Sequence, residues 1–221
     1  NVEQRESVLE TCPELRPDRV IGEPVGRDTA AAVGLAALLV EKEGDDSSFA
    51  LLPADHVILD ATGFQKTLET AFETAEAEDQ LVTVGIRPTF PSTGYGYLEK
   101  GDGVGEYAGC SVAAVRRFVE KPNLEKAEEY LNSGNYFWNA GMFIWRPSVI
   151  LEEIDRLVPK LSEGLRELKQ FWAASGNLDQ AMNQVYPELE KISIDFAVME
   201  KAKQVTMVES SFDWDDVGEW S

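Results

Sequence analysis

Residues 51–60, LLPADHVILD, constrain the fold most: an apolar run too short for most helices stops at Pro53 and hands over to Asp55 and His56. An apolar run ended by proline reads as a buried central strand, and open α/β sheets bind ligands at the carboxyl ends of such strands. Asp55 is therefore expected where chemistry takes place. The surrounding chain alternates between patterns. Residues 2–12 are helical, 19–22 form a short strand, and 28–43 form an Ala-rich helix with Asp28 as its N-cap. Residues 48–52 are the central strand, 62–78 a helix and 81–86 a strand closed by Arg87-Pro88. That order argues for an α/β chain with a mixed, mostly parallel sheet flanked by helices. Further on, residues 91–109 read as a glycine loop and hairpin, 111–118 as a strand, 122–132 as an acidic helix and 136–145 as an aromatic strand. Helical stretches over 147–170, 177–186 and 193–202 precede a last strand at 205–209 and the loop SFDWDDVGEW. The expectation is one domain over residues 1–221.

Charge restricts the partners. A formal net charge of -20 argues against a nucleic-acid polymer or an anionic membrane surface, since both would be repelled. A phosphate substrate would need a divalent cation and a few placed Arg or Lys residues to reverse the local field. Cys12 and Cys110 form no C-x-x-C pair, so a reduced, cytoplasmic setting is the default. The longest apolar window, residues 30–40, falls short of the roughly 20 residues that span a bilayer.

Several constellations could carry chemistry. Asp55 and the cluster Asp213, Asp215, Asp216 both follow strand ends, and two carboxylates with waters and phosphate oxygens suffice for Mg²⁺. Loop aspartates are also the ordinary state of an acidic protein. Gly94-Tyr95-Gly96-Tyr97 lets backbone approach a ligand while tyrosine faces suit a sugar ring, the competing reading being a glycine turn packed on the sheet. Glu120 and Lys121 follow a strand, offering a carboxylate for hydroxyls and an ammonium for phosphate, or else a solvated strand end. Asn139-Ala140-Gly141 interrupts the aromatic strand, and a ligand would explain it. Arg27 and Asp28 precede a helix N-terminus, which favours an anion or base edge, or serve as surface residue and cap. His56, with no nucleophile beside it, suits a loop or supporting hydrogen bond better than a catalytic base. Asp195 and Lys201 read as structural or supporting residues, though a helix lysine could reach a phosphate.

Taken in order, EPVGRDTAAAVGLAA, LLPADHVI, GIRPTFPSTGYGYLEKG, FVEKP, FWNAGMFIW, SIDFAVMEKA and DWDDVGEW resemble the sugar-1-phosphate nucleotidyltransferases, most closely the mannose-1-phosphate guanylyltransferases. The resemblance covers nearly the whole chain. It implies a Rossmann-like, GT-A-like nucleotidyltransferase fold and Mg²⁺-dependent transfer of GMP from GTP to mannose 1-phosphate, giving GDP-mannose and pyrophosphate. It assigns the metal to Asp55 and Asp216, with Asp215 left open beside it. It implicates Gly96, Tyr97, Glu120 and Asn139 in sugar binding, Lys121 at the sugar phosphate, and Glu23, Arg27, Asp28 and Thr29 at the base. The family's glycine-rich GGxGxRLxPLS loop has no match here, which implies a chain cut at its N-terminus and inactive without that loop. A further C-terminal domain and a homodimer are left open. Another sugar or base, or a non-catalytic nucleotide-sugar sensor, are the alternative readings.

Overall fold

The computed structural model describes residues 2–44, 46–107 and 109–217, so Gly218 of the DVG motif and the residues after it lie outside the described part. The elements are α1 (Arg5–Thr11), α2 (Asp28–Lys42), β1 (Phe49–Leu51), β2 (His56–Val57), α3 (Ala61–Glu78), β3 (Leu81–Ile86), β4 (Tyr97–Tyr107) and β5 (Cys110–Val119). They continue with α4 (Leu124–Ser133), β6 (Tyr136–Trp145), α5 (Pro147–Leu157), α6 (Pro159–Ser175), α7 (Leu178–Val185), β7 (Val205–Glu209) and β8 (Asp215–Asp216). The chain groups into two compact units. The first holds the described residues up to Leu39 together with Leu151–Val198; the second holds Val40–Ile150 and the described residues from Met199 onward.

Among the described residues all the strands belong to the second unit. The larger sheet runs β1-β6-β3-β7-β5-β4, and β4 also pairs with β6, so β6, β3, β7, β5 and β4 form a closed hydrogen-bonded circuit. β3 is buried along its whole length, as its unbroken apolar sequence requires. Its Val82, Val84 and Ile86 pack with Trp138 and Ile144 of β6, Ala71 and Ala75 of α3, and Tyr130 of α4. Local chemistry sets the helix ends. Asp60 caps α3 by accepting from Gly63 N at 3.0 Å, and Asn123 caps α4 by accepting from Lys126 N at 3.0 Å.

The sheet is mixed, but the mostly parallel pairing expected from the sequence is not what forms. Among the described residues β3–β7 is its one parallel pair. That expectation treats each helix between two strands as a crossover to the neighbouring position. β1 and β3 do run the same way, since each is antiparallel to β6. Yet β6, arriving from later in the chain, fills the gap between them. For the same reason β1 is not central. It pairs only with β6 among the described residues and is half-buried.

Other differences are local. Residues 19–22 form no strand; Pro17 starts a 3₁₀ turn over Pro17–Arg19 instead. The helix expected over 147–170 breaks at Val158, which Pro159 pushes out of helical conformation. The helix expected over 193–202 narrows to a π-helical stretch, Asp195–Met199. In the first unit α2 approaches α6 so closely at Gly34 that a Cβ there would lie 2.3 Å from Leu165 Cδ1.

Candidate active site

Past Pro53 the chain turns into β2, which pairs antiparallel with β8, matching His56 to Asp216 and Val57 to Asp215. Val217 N donates to Asp55 O at 3.1 Å and extends that pairing by one step. Side chains alternate along a strand, so Asp215 and Asp216 point to opposite faces. Asp216 is the one that meets Asp55. One donor atom each from Asp55, His56 and Asp216 lies within 4.8 Å of the others. Asp213 is committed elsewhere, accepting from Asp60 N at 2.9 Å and Leu59 N at 3.3 Å. Two carboxylates this close repel each other unless a positive charge lies between them, and with water and phosphate oxygens they form a donor set for a hard divalent cation. The residues present fit such an ion.

His56 sits beside the pair as a supported neighbour. Trp214 Nε1 donates to His56 Nδ1 at 3.1 Å, and the two rings meet edge-on at 5.2 Å. Burial holds the imidazole below its usual range, against the pull of the Asp216 and Asp55 carboxylates. Trp214 in turn packs on Tyr95 at 5.2 Å, and Tyr95 packs on Trp138 at 5.2 Å. This aromatic wall, with the half-exposed Phe90 against Trp138, is absent from the sequence reading. The signal for it was a tryptophan two residues before an aspartate at a strand entrance.

The wall leads to a second cluster in the same unit. A Cβ on Gly96 would lie 2.6 Å from Glu120 Oε2 and 3.4 Å from Asn139 Cβ, so only glycine lets these three residues converge as they do. Asn139 N donates to Gly96 O at 2.8 Å, and the Thr83 hydroxyl shares its proton between Asn139 Oδ1 at 2.7 Å and Met142 O at 3.0 Å. Asn139-Ala140-Gly141 lies in a bulge: the β3 step from Thr83 to Gly85 faces the β6 step from Phe143 to Asn139. Gly141 takes φ +66 there, with Pro53 Cγ 3.6 Å from where a Cβ would stand. The irregular strand thus has a backbone cause as well as a polar side chain to present. Lys121, largely exposed, is held in a left-handed conformation at φ 45, uncommon for lysine and more so before proline, and its Nζ lies 3.8 Å from Glu120 Oε1.

Tyr97 requires a correction. Its side chain is 0% exposed, its hydroxyl donates to Ser92 O at 2.9 Å, and its ring packs on Tyr130. Strand alternation turns it into the core, so it has no open face for a sugar. Tyr95, half-buried in the wall, is the tyrosine on the side of the site.

The segment expected at the base lies in the first unit. Glu23 accepts from the Tyr186 hydroxyl, and burial with the Glu23 carboxylate drives the Tyr186 phenol far above its usual range. Arg27 Nε is buried with no hydrogen-bond partner, a donor still available. Asp28, expected as the cap, is instead the first residue of α2; it stands at φ 64 and its side chain accepts from the next amide, Thr29 N, at 2.8 Å. Thr29 Oγ1 accepts from Ile194 N at 2.8 Å, and Ala30 N donates to Ile192 O at 3.1 Å. Much of this helix start is therefore satisfied within the unit.

A profile of the family described as nucleotidyl transferase matches residues 14–221. Over 223 residues and its full length, the chain is 39% identical to the xanthan biosynthesis protein XanB of Xanthomonas campestris pv. campestris (strain B100), covering 46% of that protein. It is likewise 39% identical over 223 residues to a mannose-1-phosphate guanylyltransferase of Sinorhizobium fredii (strain NBRC 101917 / NGR234), covering 43% of it. A crystal structure described as mannose-1-phosphate geranyltransferase from Thermus thermophilus matches with a TM-score of 0.82 and 39% identity, over 97% of this chain and 59% of that one. The chain spans about half the length of the curated relatives it matches.

Proposed function

The chain belongs to the nucleotidyl transferase family, and on that premise we propose that the protein transfers GMP from GTP to mannose 1-phosphate, releasing GDP-mannose and pyrophosphate. The observation that carries this reading is the β2–β8 pairing, which brings Asp55 and Asp216 together from opposite ends of the sequence. The guanylyl and mannosyl choices draw support from the relative of that name at 39% identity. Nucleotidyl transferases of this family generally use a divalent metal. Here Asp55 and Asp216 would hold it as Mg²⁺, and when bound it supplies charge neutralisation on the phosphates.

In the transfer, a phosphate oxygen of mannose 1-phosphate attacks the α-phosphorus of GTP in line. The new P–O bond forms as the bond from the α-phosphorus to the bridging oxygen breaks, and pyrophosphate leaves with that electron pair. The chain's part is to position and to balance charge, which suffices for phosphoryl chemistry without a covalent protein intermediate. Glu120 and Asn139 take sugar hydroxyls where the Gly96 backbone leaves room. Lys121 takes the sugar phosphate; its left-handed backbone is the kind of strain that collects at functional sites. Arg27, with a donor to spare, and the neighbouring Glu23, Asp28 and Thr29 take the base. The free thiols Cys12 and Cys110 support a cytoplasmic setting. No helix among the described residues is long and apolar enough to cross a membrane.

The test is pyrophosphate release by the full-length protein with GTP, ATP, UTP and dTTP against a panel of sugar 1-phosphates. GTP with mannose 1-phosphate should lead by about tenfold or more in kcat/KM. Equal use of the nucleotides would sink the guanylyl assignment, and GDP-mannose binding without turnover would point to a sensor.

A further inference from the structure

We infer that Trp214 is a positioning residue that keeps His56 out of the cation's ligand set, so that the site presents oxygen donors alone. The inference rests on the reading of Asp55 and Asp216 as the cation's ligands. By distance His56 qualifies as a third ligand, since one of its nitrogens lies within 4.8 Å of a carboxylate oxygen from each aspartate. Its hydrogen bonding disqualifies it. An indole N–H can only donate, so the 3.1 Å bond from Trp214 Nε1 makes His56 Nδ1 the acceptor. A neutral imidazole has one lone-pair nitrogen, and the other carries the proton. With the Nδ1 pair directed at Trp214, Nε2 holds the hydrogen. The ring then has no pair left for a metal, whichever nitrogen faces the carboxylates.

The lock is itself held in place. Trp214 packs edge-on against Tyr95 at 5.2 Å and tilted against Trp138 at 6.4 Å, and Trp138 is buried. His56 is fixed from its other side by the ladder that matches it to Asp216. The consequence is metal selectivity. Carboxylate and water oxygens suit Mg²⁺ or Mn²⁺, whereas a free imidazole between two carboxylates builds a site that Zn²⁺ prefers. Without the indole donor the imidazole pair is released, and the third ligand becomes available with no other change in the chain.

The test reads the imidazole nitrogens of the full-length protein by long-range ¹⁵N correlation, with the His56 signal assigned by its loss in His56→Asn. Spectra before and after Mg²⁺ or Zn²⁺ are compared for wild type and Trp214→Phe, alongside calorimetric affinities for Mn²⁺ and Zn²⁺. Wild type should show the Nε2–H tautomer, with no sign of imidazole ligation by either metal. In Trp214→Phe the Zn²⁺ affinity should rise about tenfold or more, the size of effect that outer partners of metal sites have. A ligated imidazole should appear with it, Mn²⁺ affinity should hold, and adding His56→Asn should abolish the gain. An Nδ1–H tautomer or a metal-ligated His56 in wild type overturns the proposal, and so does a folded Trp214→Phe with no Zn²⁺ gain. The wild-type spectrum needs no variant, so misfolding of Trp214→Phe cannot shield the idea. If neither cation binds in a manner lost in Asp55→Asn, the cation reading and the selectivity fall together, while the tautomer is scored separately.

Discussion

Replacing Gly96 by alanine should separate binding of the sugar from stability of the fold. The added methyl would stand 2.6 Å from Glu120 Oε2, 3.3 Å from Phe118 Cζ and 3.4 Å from Asn139 Cβ. The Phe118 and Asn139 contacts are tight but near the ordinary range. The carboxylate contact is not, and Glu120 must withdraw by about 0.8 Å to reach ordinary van der Waals separation. Overpacking of this kind costs about 1–3 kcal/mol where the neighbours cannot give. Here the clashing atom is a side-chain end, and trading glycine for alanine returns about 0.5–1 kcal/mol of unfolded-chain entropy. The second term offsets part of the first, leaving a net loss of about 1 kcal/mol and a Tm lower by about 2–4 °C. Function responds differently, because a misplacement near 1 Å costs up to about 100-fold in a positioned reaction. The expected result is a kcat/KM for mannose 1-phosphate lower by about tenfold to 100-fold at saturating GTP, with KM for GTP unchanged. Pyrophosphate release measured over a sugar-phosphate titration, beside a thermal melt, decides it. Wild-type kinetics, or a defect that appears in GTP instead, would refute the placement of Glu120 at the sugar.

Two other substitutions probe the remaining parts. Asp216→Asn should abolish detectable Mn²⁺ binding and cost orders of magnitude in turnover, while Asp215→Asn, on the opposite face of the same ladder, should leave both near wild type; calorimetry and turnover measured side by side check the pair. Tyr186 carries the pH prediction. Its folded-state pKa lies above the unfolded value, so its contribution to stability is complete below the ordinary tyrosine range near about 10 and is lost as pH rises through the folded value. Denaturant melts from neutral to alkaline pH should show a falling limb that Tyr186→Phe flattens, at the cost of about 1 kcal/mol at neutral pH for the lost bond to Glu23.

Some of this molecule is legible from its residues alone. β3, β6 and β7 fall at 81–86, 136–145 and 205–209 as the apolar runs between prolines, glycines and charges indicate. Burial on both faces leaves a continuous signal that needs no knowledge of neighbours. Strand direction is different, because β6 inserts between β1 and β3 from far along the chain, and nothing near residue 50 announces it. The same limit applies to Asp213, Asp215 and Asp216. Composition makes them equivalent, and only pairing with His56 and the amides of Leu59 and Asp60 tells them apart. Tyr97 misleads because a glycine-tyrosine repeat looks open until the strand phase turns one ring inward. The partners of Glu23 and Thr29, Tyr186 and Ile194, are likewise more than 100 residues away in the sequence.

The bulge in β6 also decides which length changes this strand can survive. Between the pairs Thr83–Phe143 and Gly85–Asn139 the surplus on β6 is an even number of residues, so the alternation of faces resumes in phase on the far side. Because side chains alternate with a period of two, losing a single residue between Asn139 and Phe143 would invert everything upstream of the cut. Asn139 would turn away from Thr83 to the side that Val82 and Val84 face, and Trp138 would leave the aromatic wall. Removing two would straighten the strand and preserve the phase. Related chains can therefore be expected to differ here by pairs of residues or not at all, even where the residues themselves change freely.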